Sequence, residues 1–242
     1  MWFVATAKGL VAGAIVITRK DGSTVSCAED AQGLLIPNVR EIRSIDVSAV
    51  AWVLVLEKEA AFRSLAVDLL WRQDGGGRGG VLVTGKGYPD ISTRAFLHIL
   101  ATQFPAGLAP PIFALVDLDP DGVSIMSTYK YGSAALAHEN AHLHVPGLQW
   151  LGVHSADLSE AAFSQEEDGR LSLTARDRRR ATKLLGKDIF AEDGPERLWR
   201  REVQVMLMMN WKAEIQMLGR AEGGLATYLD ARLAITAGAG HG

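Results

Sequence analysis

The sequence predicts an α/β fold: a four-stranded parallel sheet flanked by helices, with a small β element before it and a helical extension after it. Three observations predict it. Apolar runs that read as buried strands alternate with helix-period segments from Trp52 to about Val153. Strand–helix units repeated at this length imply parallel strands joined by right-handed crossovers. Carboxylates directly follow two of the apolar runs, Glu57 after Ala51–Leu56 and Asp117 and Asp119 after Ile112–Val116. The carboxyl edge of an open parallel sheet is where ligands and reacting groups gather.

Residues 1–50 read as short strands and turns that lead into the core. Gly13–Ile17 and Ser23–Ser26 flank Asp21-Gly22, a hairpin signal, and Leu34–Pro37 and Ile42–Val47 follow as further strands. The chain opens abruptly, without leader or cap, as if cut from something longer. Residues 51–158 form the core. Trp52–Leu56, Val81–Val83, Ile112–Val116 and Gln149–Val153 are its strands, and Lys58–Leu70, Ser92–Gln103 and Ser133–Leu143 its helices. Gly75–Gly80 is a flexible surface loop. Residues 159–242 are helical. Thr174-x-x-Asp177 is a capping box for a helix that stops at Gly186, and Pro195 starts a long helix running to Leu218 with Gly219 as its stop. Met206, Leu207, Met208, Met209 and Trp211 nearly encircle that long helix, which implies burial or a subunit contact. A last helix covers about Leu225–Ile235.

Charge and composition exclude several classes. A net charge of −3 argues against a generally basic nucleic-acid coat, so DNA contact requires a local basic surface. The single Cys27 excludes an intramolecular disulfide and suits a reducing compartment. No apolar run reaches the roughly 18 residues of a membrane span, and no signal peptide is expected.

Asp117 and Asp119 are two residues apart and point to one side while the backbone stays extended, before Pro120 and Gly122 turn the chain away. Carboxylates that converge without a cation repel one another, and Mg²⁺ is the usual guest of an oxygen-only site serving phosphates. A calcium-loop reading of Asp117-x-Asp119-x-Asp121-Gly122 fails, because Thr128 stands where a bidentate glutamate belongs and a strand precedes it. A solvated acidic turn is the plain alternative, and Glu57 after another strand tips the balance toward metal. Gly80 to Lys86 imitates a phosphate-binding loop, but Gly87 replaces its Ser/Thr and the intervening residues are a strand, so nucleotide hydrolysis is not expected. Lys86, on a glycine-flanked turn, and Arg94, one turn into the next helix, are candidate contacts to DNA phosphates. Arg176, Arg178, Arg179, Arg180 and Lys183 form a basic helix that is either solvated or against a DNA backbone. His138-Glu139-x-x-His142, with His144 nearby, is formally a zinc-peptidase motif, although the helix ends near Pro146.

Together, Ala7–Gly13, Val55–Phe62, Thr84–Asp90, Thr93-Arg94, Asp117–Gly122 and Tyr129–Ser133 resemble, in order, the DNA-cleaving A subunit of type IIB topoisomerases. Gly87-Tyr88-Pro89-Asp90 is more like the eukaryotic meiotic branch, which makes the double-strand breaks that start recombination. The resemblance implies a Toprim fold with Glu57, Asp117 and Asp119 as ligands of Mg²⁺, for which Mn²⁺ can substitute. Asp121 lies outside the family pattern and Glu59 is variable in it. The resemblance also implies double-stranded DNA as substrate and a homodimer with shared active sites. Meiotic accessory proteins and a B-like subunit are the implied partners, on chromosomes in the nucleus. The family's nucleophile is a tyrosine on a winged-helix domain, which attacks DNA held by the other protomer's metal and leaves a 5′-phosphotyrosine and a 3′-hydroxyl. That domain belongs upstream of Ala7. Tyr88, Tyr129, Tyr131 and Tyr228 all fall in Toprim or C-terminal segments, so the metal half without its nucleophile is expected, inactive in cleavage by itself. Glu57 is open to a second role in proton transfer to the leaving oxygen. A non-enzymatic alternative, in which the acidic cluster only docks DNA or a partner, stands beside these.

Overall fold

Short apolar stretches separated by glycine and Asx turns open the chain as β1 (Leu10–Gly13), β2 (Val16–Arg19), β3 (Thr24–Ser26), β4 (Leu34–Leu35) and β5 (Ile42–Asp46). The βα alternation follows as β6 (Val50–Leu56), α1 (Glu59–Leu69), β7 (Gly79–Thr84), α2 (Ile91–Thr102), β8 (Ile112–Leu115), α3 (Pro120–Tyr131) and β9 (Leu148–Gly152). The remainder comprises β10 (Arg170–Ser172), α4 (Ala175–Leu185), α5 (Arg197–Met209), β11 (Trp211–Ala213) and α6 (Gly224–Ala239). The structure is a computed structural model that describes residues 7–30, 32–69, 79–102, 104, 109–132, 142–158, 170–220 and 224–239. Most of the predicted glycine loop and of the predicted helix Ser133–Leu143 lies outside these residues.

The chain divides into two compact units, residues 1–114 with 126–150, and residues 115–125 with 151–242. In the first, β6 and β7 run parallel with Val53 opposite Val81 and Leu56 opposite Thr84. Val53, Leu54, Val55 and Leu56 are at most 1% exposed, as expected of a parallel strand covered on both faces. Phe62, Leu65 and Ala66 of α1 and Phe96, Leu97 and Leu100 of α2 are buried as well. The four predicted strands stand together, in the order β7-β6-β8-β9.

The N-terminal strands do not stay in one separate element. β2, β3 and β5 form an antiparallel sheet of their own, with the Asp21-Gly22 hairpin between β2 and β3. β1 instead pairs antiparallel with β7, and β4 with β1, widening the main sheet to six strands. Leu10, Val11 and Ala12 are all buried, so this strand gains cover on both faces and closes an exposed edge of β7. Gly13 permits the approach: at φ 124°, any Cβ there would lie 2.2 Å from the Gly80 carbonyl.

Two helices differ from expectation. Pro120-Asp121-Gly122 does not turn the chain away but opens α3, because Asp119 caps the helix (Gly122 N–H to Oδ1, 2.7 Å) and Pro120 occupies its first turn. The long helix predicted to Leu218 ends at Met209, where Asn210 adopts a left-handed conformation at φ 58°. Trp211–Ala213 then pairs with β10 as a strand. Met206 and Trp211 are buried, whereas Met208 is 83% exposed, so the methionine-rich segment is divided between two faces and two kinds of structure. The capping box at Thr174 and Asp177 and the stop at Gly186 stand where the sequence puts them.

In the second unit, α6 is tied down through Asp157. Its carboxylate accepts the Tyr228 hydroxyl at 2.7 Å and the His154 backbone N–H at 2.8 Å, and it pairs with Arg232. The His154 ring sits beside this group, and burial, outweighing the pull of Glu202, lowers its pKa to about 4. Because that value lies below the ordinary 6.5, the unfolded chain takes up a proton that the folded chain refuses as pH falls. Stability attributable to this group is therefore present at neutral pH and lost between about pH 6.5 and 4. His154→Gln should lose about 2 kcal/mol less stability than wild type between pH 7.5 and 5, read from urea unfolding at both values. Parallel losses in the two proteins would place the ring in solvent.

Candidate metal centre

Glu57 is the first residue after β6, half-buried, and its backbone carbonyl accepts the Gly87 N–H at 2.8 Å. That bond fixes the loop carrying Lys86, which holds φ 53° without being glycine. The Lys86 ammonium lies 3.1 Å from Glu59, whose carboxyl is held below its ordinary range by Arg63 and Lys86. Lys8 donates from Nζ to the Lys86 carbonyl (3.3 Å) and from its backbone N–H to Asp90 (2.8 Å). Asp90 caps α2 through the Thr93 N–H. Two lysines therefore share this loop. Lys8 receives no role from the sequence, because 82 residues separate it from Asp90.

Arg94 corrects an expectation. It is 2% exposed, and its Nε donates to the Leu143 carbonyl at 3.2 Å. It is buried on α2 with Phe96, Leu97 and Leu100, where its Nε serves a buried carbonyl instead of standing at the surface. The sequence carried the signal, since Arg94 precedes Leu97 by three residues and shares its helix face.

The zinc-peptidase residues His138 and Glu139 lie outside the described residues. His142 and His144 stand with their ring centroids 6.2 and 6.1 Å from that of His98, whose Nδ1 bonds the His144 carbonyl.

In the second unit, the segment after β8 remains extended because backbone bonds hold it from alternate residues. Val116 pairs with Gly152 and Val153, and Leu118 exchanges both bonds with Ala213, at 2.9 and 3.1 Å. Asp117 and Asp119 therefore keep the same-side relation of alternate strand residues. Asp117, 5% exposed, accepts the Ile215 N–H on Oδ1 at 2.8 Å. Asp119 accepts the Gly122 N–H, and burial above all raises its pKa. The N–H opposes that rise, and the charge of Asp117 adds to it. Asp121 is engaged elsewhere, 2.9 Å from Arg180 of the basic helix. Arg178 bonds the Asn210 side chain, while Arg176, Arg179 and Lys183 are exposed.

Among the described residues, no three His, Cys, Asp or Glu side chains gather closely enough to hold an ion. Asp117 and Asp119 are each tied to a backbone N–H. Their chemistry nevertheless fits a hard divalent cation: oxygen donors, poor solvation and mutual repulsion that a cation relieves.

A parallel-rich α/β sheet flanked by helices is the arrangement of a Toprim fold, a class that binds divalent metal ions. The chain belongs to the TOP6A-Spo11 Toprim family, the Toprim domain of Spo11 and of the A subunit of topoisomerase 6, which it matches over residues 52–233. Meiotic recombination protein SPO11 of Homo sapiens is 35% identical over 216 residues, covering 89% of this chain and 51% of that protein. Meiotic recombination protein rec12 of Schizosaccharomyces pombe is 38% identical over 214 residues (88% and 55%). The A subunit of DNA topoisomerase 6 from Arabidopsis thaliana is 32% identical over 217 residues (89% and 47%). The chain thus spans about half the length of these relatives. Family membership leaves the metallopeptidase reading without support.

The raised pKa of Asp119 means that its ionised form costs stability at neutral pH, a cost that disappears as pH falls and the carboxyl protonates. Asp119→Asn keeps a capping oxygen and removes the charge. Its melting temperature should equal or exceed that of wild type at pH 7, with the advantage shrinking toward pH 4. A variant less stable than wild type at pH 7 would show the carboxylate to be net stabilising.

Proposed function

We propose that this chain is the metal-binding part of a protein that makes DNA double-strand breaks to initiate meiotic recombination. The family match over residues 52–233, with Glu57, Asp117 and Asp119 following strands, carries the reading. Residues 51–158 serve as the metal-binding core, residues 1–50 lead into it, and residues 159–242 form a helical extension. Glu57, Asp117 and Asp119 hold Mg²⁺, with Mn²⁺ able to replace it. Such an ion, when bound, neutralises a phosphate oxygen and stabilises the departing 3′-oxyanion. Proton transfer to that oxygen is the alternative role for Glu57 in this reading. Lys86, accompanied by Lys8, brings positive charge to the DNA backbone.

In this reading the attacking tyrosine belongs to a winged-helix domain of a second protomer. The chain's own tyrosines suit other work. Tyr129 is 2% exposed, and burial raises its pKa far above the ordinary 10. Tyr228 is bonded to Asp157 and also raised, chiefly by burial, and Tyr131 lies under the Lys130 ammonium at 5.7 Å. A phenol harder to ionise is a poorer nucleophile at neutral pH. Tyr88, 40% exposed on the Lys86 loop, suits stacking on DNA. Double-stranded DNA, a second copy of the protein, meiotic accessory proteins and a B-like subunit are the partners, on chromosomes in the nucleus. Among the described residues no helix is long and apolar enough to cross a membrane.

Asp117→Asn and Asp119→Asn should each weaken Mn²⁺ binding about tenfold or more by calorimetry, with the fold retained by circular dichroism. Unchanged affinity in both would remove the metal assignment. Lys86→Ala should weaken duplex binding equally for unrelated sequences and make its salt dependence shallower by about one counterion. Incubated with supercoiled DNA and Mn²⁺, the chain should leave no protein-linked 5′ ends. Breaks that vanish in Tyr88→Phe would make Tyr88 the nucleophile.

A further inference from the structure

The acidic pair has a cationic neighbour across the backbone ladder. Leu118 and Ala213 exchange both of their backbone hydrogen bonds and form an antiparallel bridge. In that register Asp119 is opposite Lys212, and cross-strand neighbours share a face. Leu118 and Ala213, at most 1% exposed, occupy the opposite, buried side. The Lys212 side chain is 21% exposed, and its Nζ lies 3.0 Å from Asp177 Oδ2. Asp177 is itself fixed, since the same oxygen accepts the Thr174 N–H at 2.9 Å in the capping box of α4. An ammonium has three N–H donors, and Asp177 takes one.

We propose that Lys212 is a substrate-binding residue whose ammonium holds a non-bridging oxygen of the DNA phosphodiester seated at Asp117 and Asp119. This rests on the metal-dependent DNA reading above. Next to two carboxylates alone, the lysine is simply a counter-charge. Once those carboxylates hold a divalent cation, an ammonium beside them is repelled unless an anion lies between the two positive charges. A phosphodiester has the right form, with one non-bridging oxygen for each cation. The Asp177 tether opposes withdrawal of Lys212 when the metal enters, which a flexible surface lysine could not resist.

The simpler alternative is that Lys212 serves only Asp177. Duplex binding by the full chain separates the two, measured by fluorescence anisotropy with a labelled oligonucleotide in Mg²⁺ across a salt series. Lys212→Gln should weaken binding about tenfold and make the salt slope shallower by about one counterion, while Lys212→Arg stays within about threefold of wild type. Mn²⁺ affinity should be unchanged or stronger in Lys212→Gln, because a neighbouring positive charge has gone. DNA affinity and salt slope equal to wild type would overturn the proposal, as would a fall in Mn²⁺ affinity matching the fall in DNA affinity. If Lys212→Gln does not fold by circular dichroism, Lys212→Met is measured instead, under the same expectations. Failure of the wild-type chain to bind duplex in Mg²⁺ would remove the functional reading and this proposal together. Wild-type binding with an indifferent Lys212→Gln would remove only the role of Lys212.

Discussion

The reciprocal backbone bonds between Leu118 and Ala213 constrain the chemistry of the second unit. Without them the residues after β8 would be an ordinary acidic loop, and Asp117 and Asp119 would each sample many directions. With them, residues 116–119 stay extended until Pro120 enters α3. The same bridge delivers the Ile215 N–H to Asp117 and places Lys212 across from Asp119. A stretch nearly a hundred residues further along the chain therefore builds the surroundings of the acidic pair.

The electrostatics follow from that placement. Burial makes the ionised Asp119 costly, and Asp117 adds to the cost. Gly122, through its N–H, and Lys212, through its charge, partly offset it. For Asp119 the opposing contributions leave the carboxyl above its ordinary pKa. Asp121 shows the contrast, since Arg180 already supplies its counter-charge. In the first unit Glu59 likewise has its counter-charges at hand, in Arg63 and Lys86.

The structure gives lysine and arginine different tasks on neighbouring segments. Lys86 sits on a tight loop with its part-exposed ammonium beside Glu59, while Arg94, one turn into α2, is buried and donates from Nε to the Leu143 carbonyl. The planar, multi-donor guanidinium suits that interior duty better than a compact ammonium. Two basic residues eight positions apart, similar as text, thus belong to the surface and to the core.

Local chemistry was enough for the sequence to determine the βα alternation, the Asp21-Gly22 hairpin, the capping box at Thr174 and the positions of Glu57, Asp117 and Asp119 at strand ends. Each depends on residues a few positions apart: apolar periodicity, turn propensity and side-chain caps act within one element. The Asp119-Pro120 helix start was legible in the same way, as a cap followed by proline, although the aspartate-rich run also reads as a turn. Tertiary structure decided the rest, because long-range pairing outweighs local preference. It joined β1 to β7 rather than to its own hairpin, ended α5 at Asn210 so that Trp211–Ala213 could pair with β10, and drew Arg94 inward. It also set Lys212 opposite Asp119, a relation between residues 93 positions apart that no periodicity in the sequence encodes.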